Sequence, residues 1–222
     1  MIATPLPEPR DVPAVLGRLE IRIVREVPLH PATLPPGVSE ADLNAFEARS
    51  HVTLPPDLRA LYRWHDGGDQ LGLSFLSLIH LDCGREMEAA LAADCMTDLD
   101  EIIVSHPPGA LWPMYALRDW LPCLHEGSGN HVALDLKPEA AGRVGQVITT
   151  GLDEDRRFVL VPEVHTFLRE CLRRLNGFQI EAWQVRFQEI GGRAPEGYGV
   201  LADLFLSFGA PPAHTDTGWY WR

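Results

Sequence analysis

The stretch from Leu121 to Ile148 constrains the fold of this chain most strongly, because it contains two runs in which apolar and polar residues alternate. The first run carries Val132, Leu134 and Leu136, and the second carries Val144, Gln146 and Ile148. A period of two residues is typical of a strand that lays one face on a core. The loop between the runs is too short for a crossover helix, so the pattern predicts an antiparallel hairpin.

The polar and glycine residues of this hairpin are predicted to have a structural role. Gly127 and Gly129 flank Ser128, and glycine reaches positive φ without a Cβ clash. Asn130 and Asp135 are expected to hold the turn and the neighbouring backbone through side-chain hydrogen bonds. The predicted structural residues are Gly127, Gly129, Asn130, Asp135 and Gly145.

Three chemical interpretations of the same stretch have less support. His125, His131 and Asp135 suit a metal, but His131 and Asp135 would lie more than about 10 Å apart along one strand. The glycines lack the lysine and the following helix of a nucleotide-binding loop. Ser128 beside His125 lacks a G-x-S-x-G elbow and an orienting acid. We therefore predict no metal, no cofactor and no enzymatic activity, with a hydrolase that uses the His125–Asp135 region as a remote alternative.

The charge of the chain argues against nucleic acid as a partner. Acidic residues outnumber basic ones by 31 to 19, which gives a formal charge of -12. Such a field repels phosphate backbones and attracts a basic protein. The alternative is that the excess acid only keeps the protein soluble.

Compartment and redox state are predicted from three further features. The first residues show no cationic segment followed by an apolar run, and no stretch approaches the length of a membrane span. Cys83, Cys95, Cys123 and Cys171 form no CxxC pair. We expect a cytoplasmic protein with reduced thiols that does not contact a membrane. The alternative is a disulfide between two cysteines that are distant in the sequence.

Periodicity and capping signals predict helices around the hairpin and fewer strands. The predicted helices cover 11–19 with Asp11 as N-cap, Ser39 to about His51, Pro56 or Asp57 to Trp64, 85–94, 98–104 and 164–175. Alternation at Ile21 and Ile23 predicts an edge strand over 20–27, and the apolar run 71–81 favours a strand over a helix. A further strand is predicted over 157–161.

Four motifs along the chain resemble, in their order and separation, the SUKH superfamily, which includes fungal cell-wall regulators of the Smi/Knr type. The motifs are Gly37-Val38-Ser39 with Phe46-Glu47, Leu54-Pro55-Pro56-Asp57-Leu58-Arg59 with Leu61-Tyr62, Trp64-His65-Asp66-Gly67, and the hairpin with Gly127, Gly129-Asn130, Leu134-Asp135 and Gly145-Gln146-Val147-Ile148. The resemblance predicts one domain over residues 12–177. Residues 178–222 are predicted to form a helical C-terminal extension with a flexible tail.

The resemblance implies an α+β fold, in which helices pack against a mostly antiparallel sheet. Bacterial relatives look like immunity proteins that neutralise a toxin, often a nuclease, and eukaryotic relatives look like interaction hubs. Neither branch supplies catalytic residues to transfer. The chain departs from the family pattern at Pro162 or Glu163 before the last helix and at His131 after Asn130.

Three acidic or aromatic stretches are candidates for a contact surface with a basic partner. The predicted partner-binding residues are Trp64, Asp66, Asp98, Asp100, Glu101, Asp153, Glu154 and Asp155. Aromatic side chains supply contact area, and carboxylates complement a basic surface. The alternative is that Trp64 anchors its helix on the core, Asp66 caps the turn, and the acidic clusters are solvated loops.

The sequence therefore predicts a cytoplasmic, non-enzymatic binding protein. The first hypothesis is an immunity protein that masks the surface of a basic cognate toxin. The alternative is a regulatory scaffold with endogenous protein partners.

Overall fold

The predicted hairpin lies at the centre of a seven-stranded sheet in a computed structural model, which describes residues 11–26, 35–70, 73–95, 104–125, 130–151 and 156–175. The helices in these ranges are α1 (Val12–Glu26), α2 (Glu40–Ser50), α3 (Pro56–Trp64), α4 (Leu78–Cys95) and α5 (Val164–Leu175). The strands are β1 (Gly68–Gln70), β2 (Leu73–Phe75), β3 (Val104–His106), β4 (Trp120–His125), β5 (Asn130–Asp135), β6 (Gln146–Gly151) and β7 (Arg156–Val161). The predicted extension over 178–222 lies outside the described residues.

The sheet has the strand order β1-β2-β4-β5-β6-β7-β3. All neighbouring strands run antiparallel except β3 and β7, which are parallel. β5 and β6 pair without interruption, from Asn130 opposite Gly151 to Asp135 opposite Gln146. The predicted hairpin and the predicted α+β class with a mostly antiparallel sheet are therefore confirmed.

One face of the sheet carries the main core, to which all five helices of the described ranges contribute. On β5, Val132 and Leu134 lie in this core, whereas Ala133 between them faces the other side. α5 buries apolar residues at helical spacing, and they are Val164, Phe167, Leu168, Cys171 and Leu172. This is the predicted helix over 164–175, and it is confirmed at both ends.

The opposite face of the sheet is covered by residues 107–119, which form neither helix nor strand. Leu111 from this segment packs with Trp120, Ala133 and Ile148 in a second, smaller core. Arg157 is fully buried beneath the segment, where its Nη2 donates to the carbonyl of Tyr115 at 2.7 Å. Buried guanidinium groups need such acceptors, so this contact fixes the covering segment to the sheet.

Local signals placed α2 and α3 correctly. The Oγ of Ser39 accepts the backbone N–H of Asp42 at 3.2 Å and its hydroxyl donates to the carboxylate of Asp42 at 2.6 Å, which is the predicted cap. α2 ends at His51, which adopts a left-handed conformation with φ of 52°. α3 begins at Pro56, where proline loses no helical hydrogen bond.

Of two strand predictions in the N-terminal half, one is wrong and one is confirmed only in part. The strand expected over 20–27 is helical through Glu26, because a buried face at Val12, Val15, Leu16 and Leu19 sets a helical period. Ile21 is 66% exposed, so its alternation marks no buried strand face. In the run 71–81, residues 71 and 72 lie outside the described ranges, β2 confirms a strand over Leu73–Phe75, and helix α4 already begins at Leu78.

The predicted short helix over 98–104 is wrong at Val104, which is the first residue of strand β3. Residues 96–103 otherwise lie outside the described ranges. The predicted helix over 85–94 is confirmed as part of α4, which starts seven residues earlier than expected, at Leu78.

The corner between α3 and β1 requires glycine at position 67. Gly67 has φ of +76°, and a Cβ built there would lie 2.6 Å from the backbone nitrogen of Ser77. Neither the positive φ nor the close approach of backbone tolerates a side chain at low cost. Glycine at position 67 is therefore a stereochemical requirement of this corner.

Gly67→Ala is expected to lower the free energy of unfolding by about 2 kcal/mol or more, because it combines a strained φ with a backbone contact. Gly17→Ala is the matched control, since a Cβ at that position of α1 meets nothing within 4 Å. The control should raise stability by about 0.5–1 kcal/mol, as alanine favours a helix interior. Urea denaturation of both variants measures the two changes, and equal effects would contradict this account of the corner.

Candidate partner-binding site

The predicted contact residue Trp64 lies at the C-terminal end of α3, where the chain turns toward the edge of the sheet. Its ring is partly buried against the main core, and its Nε1 donates to the carboxylate of Glu20 on α1 at 3.3 Å. The ring centroid lies 4.4 Å from that of His65. Trp64 therefore joins α3 to α1 and still presents part of the indole to solvent.

A shallow open groove with a volume of about 10 Å³ lies beside this tryptophan. Its lining residues are Leu61, Tyr62, Trp64, His65, Gly67 and Phe75. Tyr62 is buried and its hydroxyl donates to the carbonyl of Leu76 at 2.7 Å, which ties α3 to the chain after β2. Pockets for small ligands are usually about 300–1,000 Å³ and a single water needs about 10–15 Å³, so the groove is a shallow depression that suits contact with a protein surface better than a small ligand.

His65 gives the groove a polar group. Its Nδ1 lies 2.7 Å from the carbonyl oxygen of Pro35, so in the neutral ring Nδ1 carries the proton and Nε2 is an acceptor. The Nε2 atom is buried and has no hydrogen-bond partner among the described residues. Buried polar atoms are normally paired.

Asp66 has a structural contact at the same corner. Its Oδ1 accepts the backbone N–H of Leu78 at 2.7 Å, which satisfies a donor in the first turn of α4. The backbone N–H of Asp66 donates to the carbonyl of Pro36 at 3.2 Å. Asp66 therefore fixes the corner to α4 with one of its carboxylate oxygens. Contact between Asp66 and a partner stays a prediction.

The two acidic clusters predicted as contact residues lie outside the described residues. Asp98, Asp100 and Glu101 are in the segment between α4 and β3, and Asp153, Glu154 and Asp155 are in the segment between β6 and β7. Their partner-binding role remains a prediction.

Sequence reasoning missed two lining residues of the groove. His65 belongs to the Trp64–Gly67 motif that the sequence analysis singled out. No local pattern, however, indicates that its ring lies against the carbonyl of Pro35. No sequence pattern indicated that Phe75 would line the groove. It reaches the groove only because β2 pairs with β1 on one side and β4 on the other.

Asp135 of the hairpin is a buried structural acceptor. Its Oδ1 accepts the backbone N–H of Lys137 at 3.0 Å, and its Oδ2 accepts the Nε2 of Gln146 at 3.0 Å. The same Gln146 amide donates to the carbonyl of Ala110 at 2.9 Å, so it also holds the covering segment. Gly145 adopts φ of +83° and donates its N–H to the carbonyl of Asp135 at 2.8 Å. These contacts close the β5–β6 end of the sheet.

The remaining signature residues give less information. Gly127 and Gly129 lie outside the described residues. Asn130 is the first residue of β5, and its backbone pairs with Gly151.

The hydrolase and metal interpretations receive no support from this geometry. Asp135 is fully buried and both of its oxygens are engaged, so it cannot contact a substrate. His131 lies four residues away on the same strand. Within the described ranges, no three His, Cys, Asp or Glu side chains are grouped so that they could hold a metal ion.

Burial raises the pKa of the Asp135 carboxyl to about 6, despite hydrogen bonds from Lys137 and Gln146 that favour the charged form. The ordinary value is 3.8, so between these two values the folded state binds more protons than the unfolded state. The contribution of Asp135 to the free energy of unfolding is therefore largest below pH 3.8 and is lost as the pH rises through about 6.

We expect the free energy of unfolding of the natural chain, relative to Asp135→Asn, to fall as the pH rises from about 4 to 7, by at most about 3 kcal/mol. The variant removes the titrating group, and its loss of a hydrogen bond to Gln146 does not depend on pH. Denaturation at several pH values measures the difference. A carboxyl titration by NMR should place the midpoint of Asp135 near 6, and a midpoint below 4 would contradict this account.

In the part of the chain that the structure describes, every helix is too short or too polar to cross a lipid bilayer.

Comparison with known proteins identifies the family to which this fold is similar. Residues 37–170 match the SMI1 / KNR4 family (SUKH-1), a range that includes the α3 corner, the groove and the hairpin. The chain is 32% identical over 149 residues to the "Cell wall biosynthesis/cell cycle regulator smi1" of Schizosaccharomyces pombe, covering 60% of this chain and 30% of the relative.

Two further relatives extend the comparison. "KNR4/SMI1 homolog 2" of Debaryomyces hansenii is 29% identical over 224 residues, with 80% of this chain and 37% of the relative covered. The "Cell wall assembly regulator SMI1" of Saccharomyces cerevisiae is 41% identical over 64 residues, with 29% of this chain and 13% of the relative covered. The chain thus spans between 13% and 37% of the length of these three relatives. The names that state a role describe regulators rather than enzymes, and the chain belongs to the SMI1 / KNR4 family (SUKH-1).

Proposed function

We propose that this chain is a regulatory protein-binding module that holds endogenous partner proteins at the groove beside Trp64. The observation that carries the proposal is the groove itself, which combines a partly exposed indole, the ring of Phe75 and the acceptor Nε2 of His65. Aromatic side chains beside a small depression are typical of the centre of a protein interface. The relatives named as cell-wall regulators support a regulatory role.

The residues around the groove are held by contacts within the fold. The hydroxyl of Tyr62 donates to the carbonyl of Leu76, and Asp66 joins the corner to α4. A preformed groove orders few side chains on binding, so less free energy is lost when the partner enters. Because the groove is shallow, a partner segment would lay an apolar side chain against Trp64 and Phe75.

The immunity-protein hypothesis is supported by the charge of -12 but not by the names of the relatives above. Co-expression distinguishes the two functions. If a toxin encoded beside this gene kills cells and this chain rescues them, the immunity hypothesis is correct and the regulatory proposal fails. If the partners are other proteins of the same organism and no neighbouring toxin is neutralised, the regulatory proposal stands.

Trp64→Ala is expected to weaken binding of the partner by at least about tenfold, because truncation of a central tryptophan commonly costs 2 kcal/mol or more. Trp112→Ala is the matched control. Trp112 is 41% exposed and also donates one hydrogen bond, from Nε1 to the carbonyl of Lys137 at 3.0 Å, but it lies on the covering segment of the opposite face.

The measurement is quantitative affinity capture from the cells of origin, followed by titration of the purified partner against both folded variants. Circular dichroism verifies folding. Retention of the partner by Trp64→Ala, or equal loss in both variants, would contradict the assignment of this groove.

A further inference from the structure

The side chains that line the groove beside Trp64 use their hydrogen-bond donors within the fold. Nε1 of Trp64 donates to the carboxylate of Glu20. The hydroxyl of Tyr62 and Nδ1 of His65 each donate to a backbone carbonyl. The other lining side chains, on the residues that the structure describes, are apolar. A partner group that needs a donor, such as a carboxylate, therefore meets no side chain that offers one.

Two carboxylates border the same groove. Glu20 is exposed, and it contacts the lining residue Trp64 at 3.3 Å. Asp66 lies between the lining residues His65 and Gly67, and one of its oxygens accepts a backbone N–H of α4. The ion pairs formed by the described residues involve neither carboxylate. Both negative charges therefore remain without a paired cation at the border of the groove.

The arginines that are close in the sequence do not neutralise these charges. Arg63 precedes Trp64, but it pairs with Glu40 of α2 at 3.0 Å. Three arginines of α1 occupy positions roughly 140–160° around the helix axis from Glu20, and so lie on another side of that helix. They are Arg18, Arg22 and Arg25. Among the described residues, the charge at the border of the groove is therefore negative.

We propose that the groove recognises an arginine side chain of the partner segment, whose guanidinium lies flat on the indole of Trp64 and pairs with Glu20. The proposal rests on the protein-binding function above and names the residue that the partner presents. A guanidinium is planar, carries only donors, and is attracted to the face of an aromatic ring. It stacks on a shallow surface and needs no deep cavity. The apolar side chain beside this arginine in the partner segment contacts Phe75.

Short peptides test this chemistry on the full chain. Three acetylated and amidated tripeptides serve as probes, each with leucine at both ends. The central residue is arginine, citrulline or lysine. Citrulline has the shape of arginine without its charge, and lysine has the charge without the planar group. Binding is followed by NMR through the indole N–H resonance of Trp64, which Trp64→Phe identifies.

The arginine peptide should shift this resonance to saturation. The citrulline and lysine peptides should bind about five to ten times more weakly, since each lacks one part of the combined stacking and ionic contact. Added salt should weaken binding of the arginine peptide and leave that of the citrulline peptide unchanged.

Glu20→Gln tests the ionic contact, because glutamine retains an oxygen that can accept the Trp64 Nε1 proton. The variant should bind the arginine peptide about threefold more weakly and the citrulline peptide equally well. Glu86→Gln is the matched control. Glu86 is exposed on α4 and belongs to no ion pair of the described residues, so this variant changes the net charge equally and should bind like the natural chain.

Equal affinity for the arginine and citrulline peptides would overturn the inference, and equal affinity for the lysine peptide would contradict stacking on Trp64. Equal effects of the two glutamine variants, or no shift with any peptide, would also overturn it. If Trp64→Ala loses the captured partner while Glu20→Gln keeps its affinity, the groove is the partner site and the arginine inference alone is wrong. If Trp64→Ala keeps the partner, the groove is not the partner site and both proposals fail.

Discussion

The uninterrupted pairing of β5 with β6 is the constraint on which the rest of the structure depends. Its register decides that Val132, Leu134 and Val147 face the helices while Ala133 and Ile148 face the covering segment. A shift by one residue would exchange these two sets. Asp135 and Gln146 end the pairing with a buried hydrogen bond at 3.0 Å, and Gln146 also holds the covering segment through Ala110. A polar contact at the end of the sheet thus stabilises the register. The packing of the helices on one face and of the covering segment on the other depends on that register.

Much of the fold was accessible from local sequence, because the signals that specify it are short-range. The alternation of the hairpin, the Ser39 cap and the periodicity of α5 each require only neighbouring residues, and each prediction was confirmed. The errors arose where tertiary contacts decide. α1 extends through residues 20–26 although Ile21 alternates as in a strand, because four buried residues before it set a helical face. The groove combines α3 with β2, so no local pattern could predict that Phe75 lines it.

The proposed binding surface lies at the α3 corner, away from the β5–β6 hairpin. The buried carboxylate of the hairpin has a structural role, since both oxygens of Asp135 accept hydrogen bonds within the fold. The α3 corner differs, because part of Trp64 is exposed and His65 Nε2 has no partner among the described residues. In this account the paired strands are the stable scaffold, and the contact surface is the small aromatic groove at the α3 corner.

Hydrogen–deuterium exchange of the full chain, alone and with a captured partner, tests the central claim most directly. The account predicts slower exchange upon binding in peptides that cover residues 61–75, which form the corner and the groove. It predicts unchanged exchange in peptides that cover 130–151, where β5 and β6 are already paired. Protection that is confined to residues 130–151 would show that the hairpin is the contact surface, and it would contradict the account.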